Sequence, residues 1–188
     1  MSLQKIQIII IITIFLLLGS GCSKDNLQAE FYLTDEIKSQ NPYVTGDTII
    51  FANSNDDTIV SVVDRENHYI EALISSNSNR YNLFEEEKTS IKGDSLIIQM
   101  RMYYEPHKEP LIDFYIFYNG KSGSFYNYSI PFTPSMPRVM SIKIHDKWYY
   151  NIYYFERIDI PKLYYSTEYG VLRIEFSDGD YLDYLDIS

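Results

Sequence analysis

The sequence predicts an all-β fold, a mainly antiparallel β-sandwich or flattened barrel of about 8–11 strands. This domain spans residues 31–188 and follows an N-terminal targeting segment. Three observations predict it. Apolar and polar residues alternate with period two over long stretches. Turn signals recur at short intervals. Helical patterning never exceeds a turn or two. The 188 residues are 45% hydrophobic and 22% charged, which suits one folded domain and excludes a disordered or fibrous chain. With 19 Tyr and 10 Phe the chain has ample bulk for a core. A net charge of −10 argues against nucleic acid and against an anionic membrane surface as partners.

Residues 1–21 read as a signal peptide: Lys5, an apolar run of 11 residues from Ile8 to Leu18 broken only by Thr13, then Gly19, Ser20 and Gly21. A spanning helix needs about 20 apolar residues, so a permanent transmembrane anchor is the weaker reading. The small residues end at Cys22, the single Cys of the chain. Gly19-Ser20-Gly21-Cys22 resembles the lipobox of bacterial lipoproteins, although Leu18 stands one place further from the Cys than that family's usual Leu. The resemblance implies that the signal is cut before Cys22, that its thiol carries a diacylglycerol and that the new amine is acylated. With more than one acyl chain such an anchor is stable.

Residues 22–30 then form the lipidated Cys and a polar tether. Ser23-Lys24-Asp25 is similar to the start of lipoproteins from the Bacteroidota, where charge after the Cys is associated with export to the cell surface.

From Phe31 onward strands follow one another. Thr34 N-caps a short helical candidate, Thr34–Gln40. Asn53 to Asp57 reads as a turn between Thr48–Ala52 and Thr58–Asp64; Arg65-Glu66-Asn67 reads as the next, leading into His68–Ser75. Ser76 to Asn79 leads into Arg80–Glu85. Leu96, Ile98, Met100, Met102 and Tyr104 share one face of a strand. Asn119-Gly120 parts Leu111–Tyr118 from Ser124–Ile130, Asp146-Lys147 parts Met140–His145 from Trp148–Glu156, and Asp178-Gly179 joins Val171–Phe176 to Tyr181–Asp186. Asn-Gly and Asp-Gly favour the positive φ of tight hairpins. Connections this short cannot carry parallel crossovers. Pro106 and Pro110 flank a loop, and Pro131, Pro134 and Pro137 stiffen a longer link. The run from His145-Asp146-Lys147-Trp148, through Leu163-Tyr164-Tyr165, to Asp178-Gly179 resembles the C-terminal hairpins of small lipoproteins of the Bacteroidota, mostly families of unknown function. That likeness implies kinship of fold and brings no catalytic residue.

Motifs for chemistry are sparse. His68, His107 and His145 lack HxH or HExxH spacing, so no metal site is expected. No Gly-x-Ser-x-Gly elbow supports a Ser-His-Asp triad. Asn53, Asn55, Asp57 and Asp64 match part of a calcium-loop spacing, but Thr58 replaces the loop's Gly and the segment reads better as a hairpin turn. Glu85-Glu86-Glu87 and the acids Asp178, Asp180, Asp183 and Asp186 read as solvated edges.

The aromatic strand stands out. Trp148, Tyr150, Ile152 and Tyr154 point one way, and Tyr149, Asn151, Tyr153 and Phe155 the other. A central strand covered on both sides would explain this. So would an exposed platform of Trp148, Tyr150 and Tyr154 for a glycan or protein partner. The sequence therefore leads to a lipid-anchored binding or structural module without catalysis or cofactor. It would be an outer-membrane lipoprotein of the cell envelope, on the periplasmic face or the cell surface. A glycan-binding lipoprotein using the aromatic strand is one rival; a barrel carrying an apolar ligand against the Leu96–Tyr104 face is another.

Overall fold

The structure, a computed structural model, describes residues 26–104, 109–130, 138–156 and 161–187. The signal segment and Cys22 lie outside the described residues, as do His107 and the prolines at 106, 131, 134 and 137.

In order, the chain forms β1 (Leu27–Phe31), α1 (Asp35–Lys38), β2 (Thr48–Asn53), β3 (Thr58–Leu73), β4 (Tyr81–Lys92), β5 (Leu96–Tyr104), β6 (Pro110–Tyr118), β7 (Lys121–Ser129), β8 (Arg138–Ile144), β9 (Lys147–Phe155), β10 (Lys162–Ser166), β11 (Gly170–Glu175) and β12 (Tyr181–Ile187). All twelve strands belong to one sheet of order β7-β6-β5-β4-β3-β2-β12-β11-β10-β9-β8, with β1 paired to β4 beside that path. The all-β, mainly antiparallel reading is correct. Its form is a single sheet curled into a half-barrel.

The curl follows from the alternation. Leu96, Ile98, Met100 and Met102 of β5 and Ile112, Phe114 and Ile116 of β6 are all buried. They meet the inward residues of the opposite wing: Phe114 lies 5.3 Å from Phe155 and 5.2 Å from Tyr165, and Tyr118 5.5 Å from Phe176. Segment 33–47 crosses the concave side. Thr34 caps α1 as expected, its hydroxyl accepting from the Ile37 N–H. Leu33, Ile37 and Tyr43 join the core. Tyr165 donates to the Gln40 carbonyl at 2.6 Å, and the Tyr43 hydroxyl accepts from the Val171 N–H at 2.6 Å. Gly170, at φ +79, lets the chain pass Tyr43: a Cβ there would sit 2.0 Å from the Tyr43 oxygen.

Several expectations need correction. Arg65-Glu66-Asn67 is not a turn; β3 runs through it in unbroken register with β4, Arg65 opposite Thr89 and Asn67 opposite Glu87. Its polarity reflects an exposed strand with an anchored Arg, because Arg65 donates to the Tyr43 carbonyl at 2.7 Å and to Glu87 at 2.6 Å. The stretch read as a tether is shorter, since Leu27–Phe31 is a strand parallel to β4. Glu85 and Glu87 are not solvated; each is 2% exposed at the side chain. Glu85 accepts from the Leu33 N–H at 2.8 Å and pairs with Lys38 at 2.7 Å. Glu87 accepts from Asn41 at 2.8 Å as well as from Arg65. Asp183 is buried too, because β12 lies between β2 and β11, and Arg173 grips both of its oxygens at 2.5 and 2.6 Å. Buried carboxylates persist only when paired in this way.

Candidate functional site

The hairpin β8–β9 separates its aromatics by side. Tyr149, Tyr153 and Phe155 are buried, whereas Trp148 is 54% and Tyr150 65% exposed. Strand periodicity explains the first half of β9, with Trp148 opposite Lys143 and Tyr150 opposite Ser141. Tyr149 turns inward, edge-on to Tyr169 at 5.1 Å and to Tyr184 at 6.2 Å, and burial raises its hydroxyl pKa. The Lys147 ammonium lies over the Tyr149 and Tyr169 rings at 4.9 and 4.7 Å.

The alternation then breaks. Asn151 has φ 57, in the left-handed region, where Asn is among the more tolerant side chains. The kink changes which residues face inward. Ile152, expected beside Trp148 and Tyr150, is fully buried. The register skips Met140 and Asn151, and Met140 is 90% exposed. The exposed set is thus Trp148, Tyr150 and Met140, interleaved with Ser141, Lys143 and Asn151. β8 is the terminal strand of the sheet path.

Tyr154 stands in a different setting. It is half-buried against Tyr164 of β10 at 5.1 Å and donates to Glu156 at 2.5 Å. Glu156 in turn pairs with Lys162 at 3.1 Å. Burial and the nearby Glu175 carboxylate push the Tyr164 hydroxyl up to about 12. The Tyr154 hydroxyl is thus committed inside this cluster.

A second concavity lies over strands β4, β5 and β6. It encloses about 510 Å³ and is lined by Glu86, Lys88, Gln99, Arg101, Asp113 and Tyr115. Arg101 pairs with Asp113 at 2.7 Å and approaches Glu86 at 3.5 Å, its guanidinium 4.2 Å above the Tyr103 ring. Asp113 is thus tied to the cation by a charge-assisted hydrogen bond, whereas the buried Glu86 Oε2 makes no hydrogen bond among the described residues.

Of the remaining candidates, His68 sits exposed on β3, 3.0 Å from Glu66, and His145 occupies the β8–β9 turn. Asn53, Asn55 and Asp57 form the expected turn, the Asn53 carbonyl oxygen of the side chain accepting from the N–H groups of residues 55 and 57, each at 2.9 Å. Asp64 lies on β3. Among the described residues no group of His, Cys, Asp and Glu is arranged to hold a metal ion. The Leu96–Tyr104 face, proposed as a cavity lining, is packed into the core through Leu96, Ile98, Met100 and Met102.

Sequence reasoning missed the buried ion pairs. One left a signal: Arg173 and Asp183 are equally far from Asp178 in the hairpin turn, which places them opposite each other. Glu85 and Glu87 left none, because Lys38, Asn41 and Arg65 come from distant segments.

The fold and site together describe an all-β domain with an aromatic patch on its terminal hairpin. Comparison with known protein families, with curated proteins and with solved structures finds no match.

Proposed function

We propose that this chain is a lipid-anchored binding module of the cell envelope, held to the outer membrane through acylated Cys22 and acting without catalysis. The observation that carries the binding role is the two-sided strand β9. Trp148 and Tyr150 stand in solvent while Tyr149 and Phe155 of the same strand are core. Large amphipathic rings interleaved with Lys143, Ser141 and Asn151 suit a polar partner surface or a glycan. The absence of catalysis is supported by the use made of the acids: Glu85, Glu87, Asp113 and Asp183 are each tied to a cation in a structural pair.

The test is a glycan array and a cross-linking capture from envelope fractions, run with the unchanged chain and with Trp148→Ala and Tyr150→Ala. Truncating an anchor of this type costs about 2 kcal/mol, roughly thirtyfold in affinity. Both variants should lose their partner and keep their melting temperature. Variants that melt early, or that retain the same partner, overturn the reading. The anchor is tested separately by mass spectrometry of the native protein, where a free Cys22 thiol would refute it.

A further inference from the structure

We propose that the tip of the β3–β4 hairpin is a membrane-seating surface, with Leu73 and Ile74 entering the apolar margin of the bilayer. The inference rests on the lipid-anchor reading of Cys22.

Four aliphatic and aromatic side chains near this tip have no core to enter. Leu73 is 62% exposed, Ile74 53%, Tyr69 55% and Ile70 42%. β3 outruns the body of the sheet here, and its residues 66–71 are exposed on both faces. Phe31, the last residue of β1, stacks on Phe84 at 4.7 Å on the Ile70 face, and the Tyr32 ring after it lies edge-on to Tyr69 at 6.2 Å. The apolar side chains fall on both faces of the ribbon, Tyr69 and Leu73 on one and Ile70 and Ile74 on the other, with the exposed Glu71 between Tyr69 and Leu73, so the surface they offer is the end of the hairpin.

The chain itself identifies what covers it. β1 enters beside the tip: the Asn26 carbonyl accepts from the Tyr81 N–H at 3.0 Å, Leu27 is in register with Tyr81, and Tyr81 with Leu73. Strands lie about 4.8 Å apart, so Leu73 is roughly 10 Å from Leu27 across the ribbon. Cys22 precedes Asn26 by four residues. Even fully extended, four residues reach at most about 14 Å. Acyl chains on Cys22 would therefore hold this end of the molecule, and no other, against the lipid.

Composition along the hairpin matches the depth profile of a membrane surface. The aliphatic Leu73 and Ile74 are at the end. Tyr69 lies four residues back, about 13 Å at strand rise, with Tyr32 beside it, where the headgroup level favours Tyr. From Ile74 to Arg80 the connection is Ser, Asn and one Arg, and its backbone is closed by the Ile74 N–H on the Arg80 carbonyl at 3.0 Å. Arg80 is the one ionisable side chain in that stretch, and zwitterionic headgroups can meet it.

The single Trp makes a direct test possible. In the full chain, purified from membranes and reconstituted in phosphatidylcholine vesicles, Trp148→Phe removes the native signal. Leu73→Trp then reports on the tip, and Tyr115→Trp on the outer face of β6 serves as control. Bromines on the acyl chains should quench the Trp at position 73 and leave that at 115 unquenched. Mass spectrometry of the same sample reports whether Cys22 is acylated. Acylated protein with an unquenched Trp at position 73 overturns the seating while the anchor stands. Unacylated protein refutes the anchor; quenching at 73 would then still uphold the seating, and its absence would overturn it as well. Independently, Leu73→Ser with Ile74→Ser should speed transfer of the lipidated chain between vesicles roughly thirtyfold. An unchanged rate contradicts the proposal.

Discussion

Replacing Gly170 by Ala should cost far more than its single methyl group suggests. Two effects combine. Gly170 sits at φ +79, and an L-residue in that region is strained by about 1–2 kcal/mol. The added Cβ would also fall 2.0 Å from the Tyr43 oxygen and 2.1 Å from its Cζ. Tyr43 is buried and cannot swing into solvent, so it must be displaced within the core, at about 1–3 kcal/mol. Displacement also breaks the 2.6 Å bond from the Val171 N–H, and a buried N–H left unpaired costs about 1–3 kcal/mol. Together Gly170→Ala should lose about 3–8 kcal/mol, a large part of a typical domain's stability. Gly120→Ala separates the two effects. Gly120 has φ +80, but a Cβ there meets nothing within 4 Å, so only the strain of about 1–2 kcal/mol remains. Urea unfolding followed by circular dichroism measures both. Tyr43→Ala alone should cost about 3–5 kcal/mol. Combined with Gly170→Ala it should be sub-additive by about 2 kcal/mol or more, because the clash vanishes with the ring and the bond to the Val171 N–H is already lost in Tyr43→Ala. Equal losses at the two glycines, or additivity with Tyr43→Ala, would refute the reasoning.

Other expectations follow from the charges and hydroxyls. Arg65→Met strands the buried Glu87 carboxylate and should cost about 3–5 kcal/mol in urea unfolding, with Glu87→Gln largely suppressing the loss in the double variant. Lys121 pairs with Asp178 at 2.7 Å and Asp180 at 2.9 Å. Hydrogen bonding to Lys121 holds Asp178 below its ordinary 3.8; at Asp180 burial pulls the other way, but bonds from Ser54 and Lys121 prevail. Depressed carboxyls stabilise above the unfolded value and lose that contribution as pH falls through the folded one. Lys121→Met should therefore lower the melting temperature at neutral pH, with the gap closing below pH 3.8; a constant gap would contradict this. At the other extreme, burial raises the Tyr43 and Tyr165 hydroxyls above their ordinary 10.0. A raised folded pKa means stability is full below pH 10 and declines above it, so part of the tyrosinate absorbance should appear only as the chain unfolds.

The strands were legible where one face is buried and the other is not. β5, the β8–β9 hairpin and the β11–β12 hairpin all fall where alternation and turn residues place them. Legibility failed where polarity has a tertiary cause. Arg65-Glu66-Asn67 resembles a turn only as long as the partner strand and the Tyr43 carbonyl are unknown. Glu85 and Glu87 look solvated until segment 33–41 supplies their partners. In the candidate site the exposure of Trp148 and Tyr150 followed the period-two reading, and Ile152 escaped it because a left-handed Asn151 cannot be read from hydrophobic pattern.

The strand order also shapes how the chain can assemble. Along β7-β6-β5-β4-β3-β2-β12-β11-β10-β9-β8 each neighbouring pair is consecutive in sequence, save β2 with β12. The molecule is thus two meanders, β2–β7 and β8–β12, stitched along one seam from Leu182 opposite Asn53 to Ile187 opposite Ile49. Each meander can form from local contacts at little loop-closure cost, and among the strand pairings of the described residues the seam alone joins positions more than 120 apart in sequence, as with Asp183 and Ala52. Slow steps in folding should collect at that seam. The same logic marks residues 131–137, between the meanders, as the place to divide the gene: the two halves, made separately, have complementary edges at β2 and β12 through which to find each other.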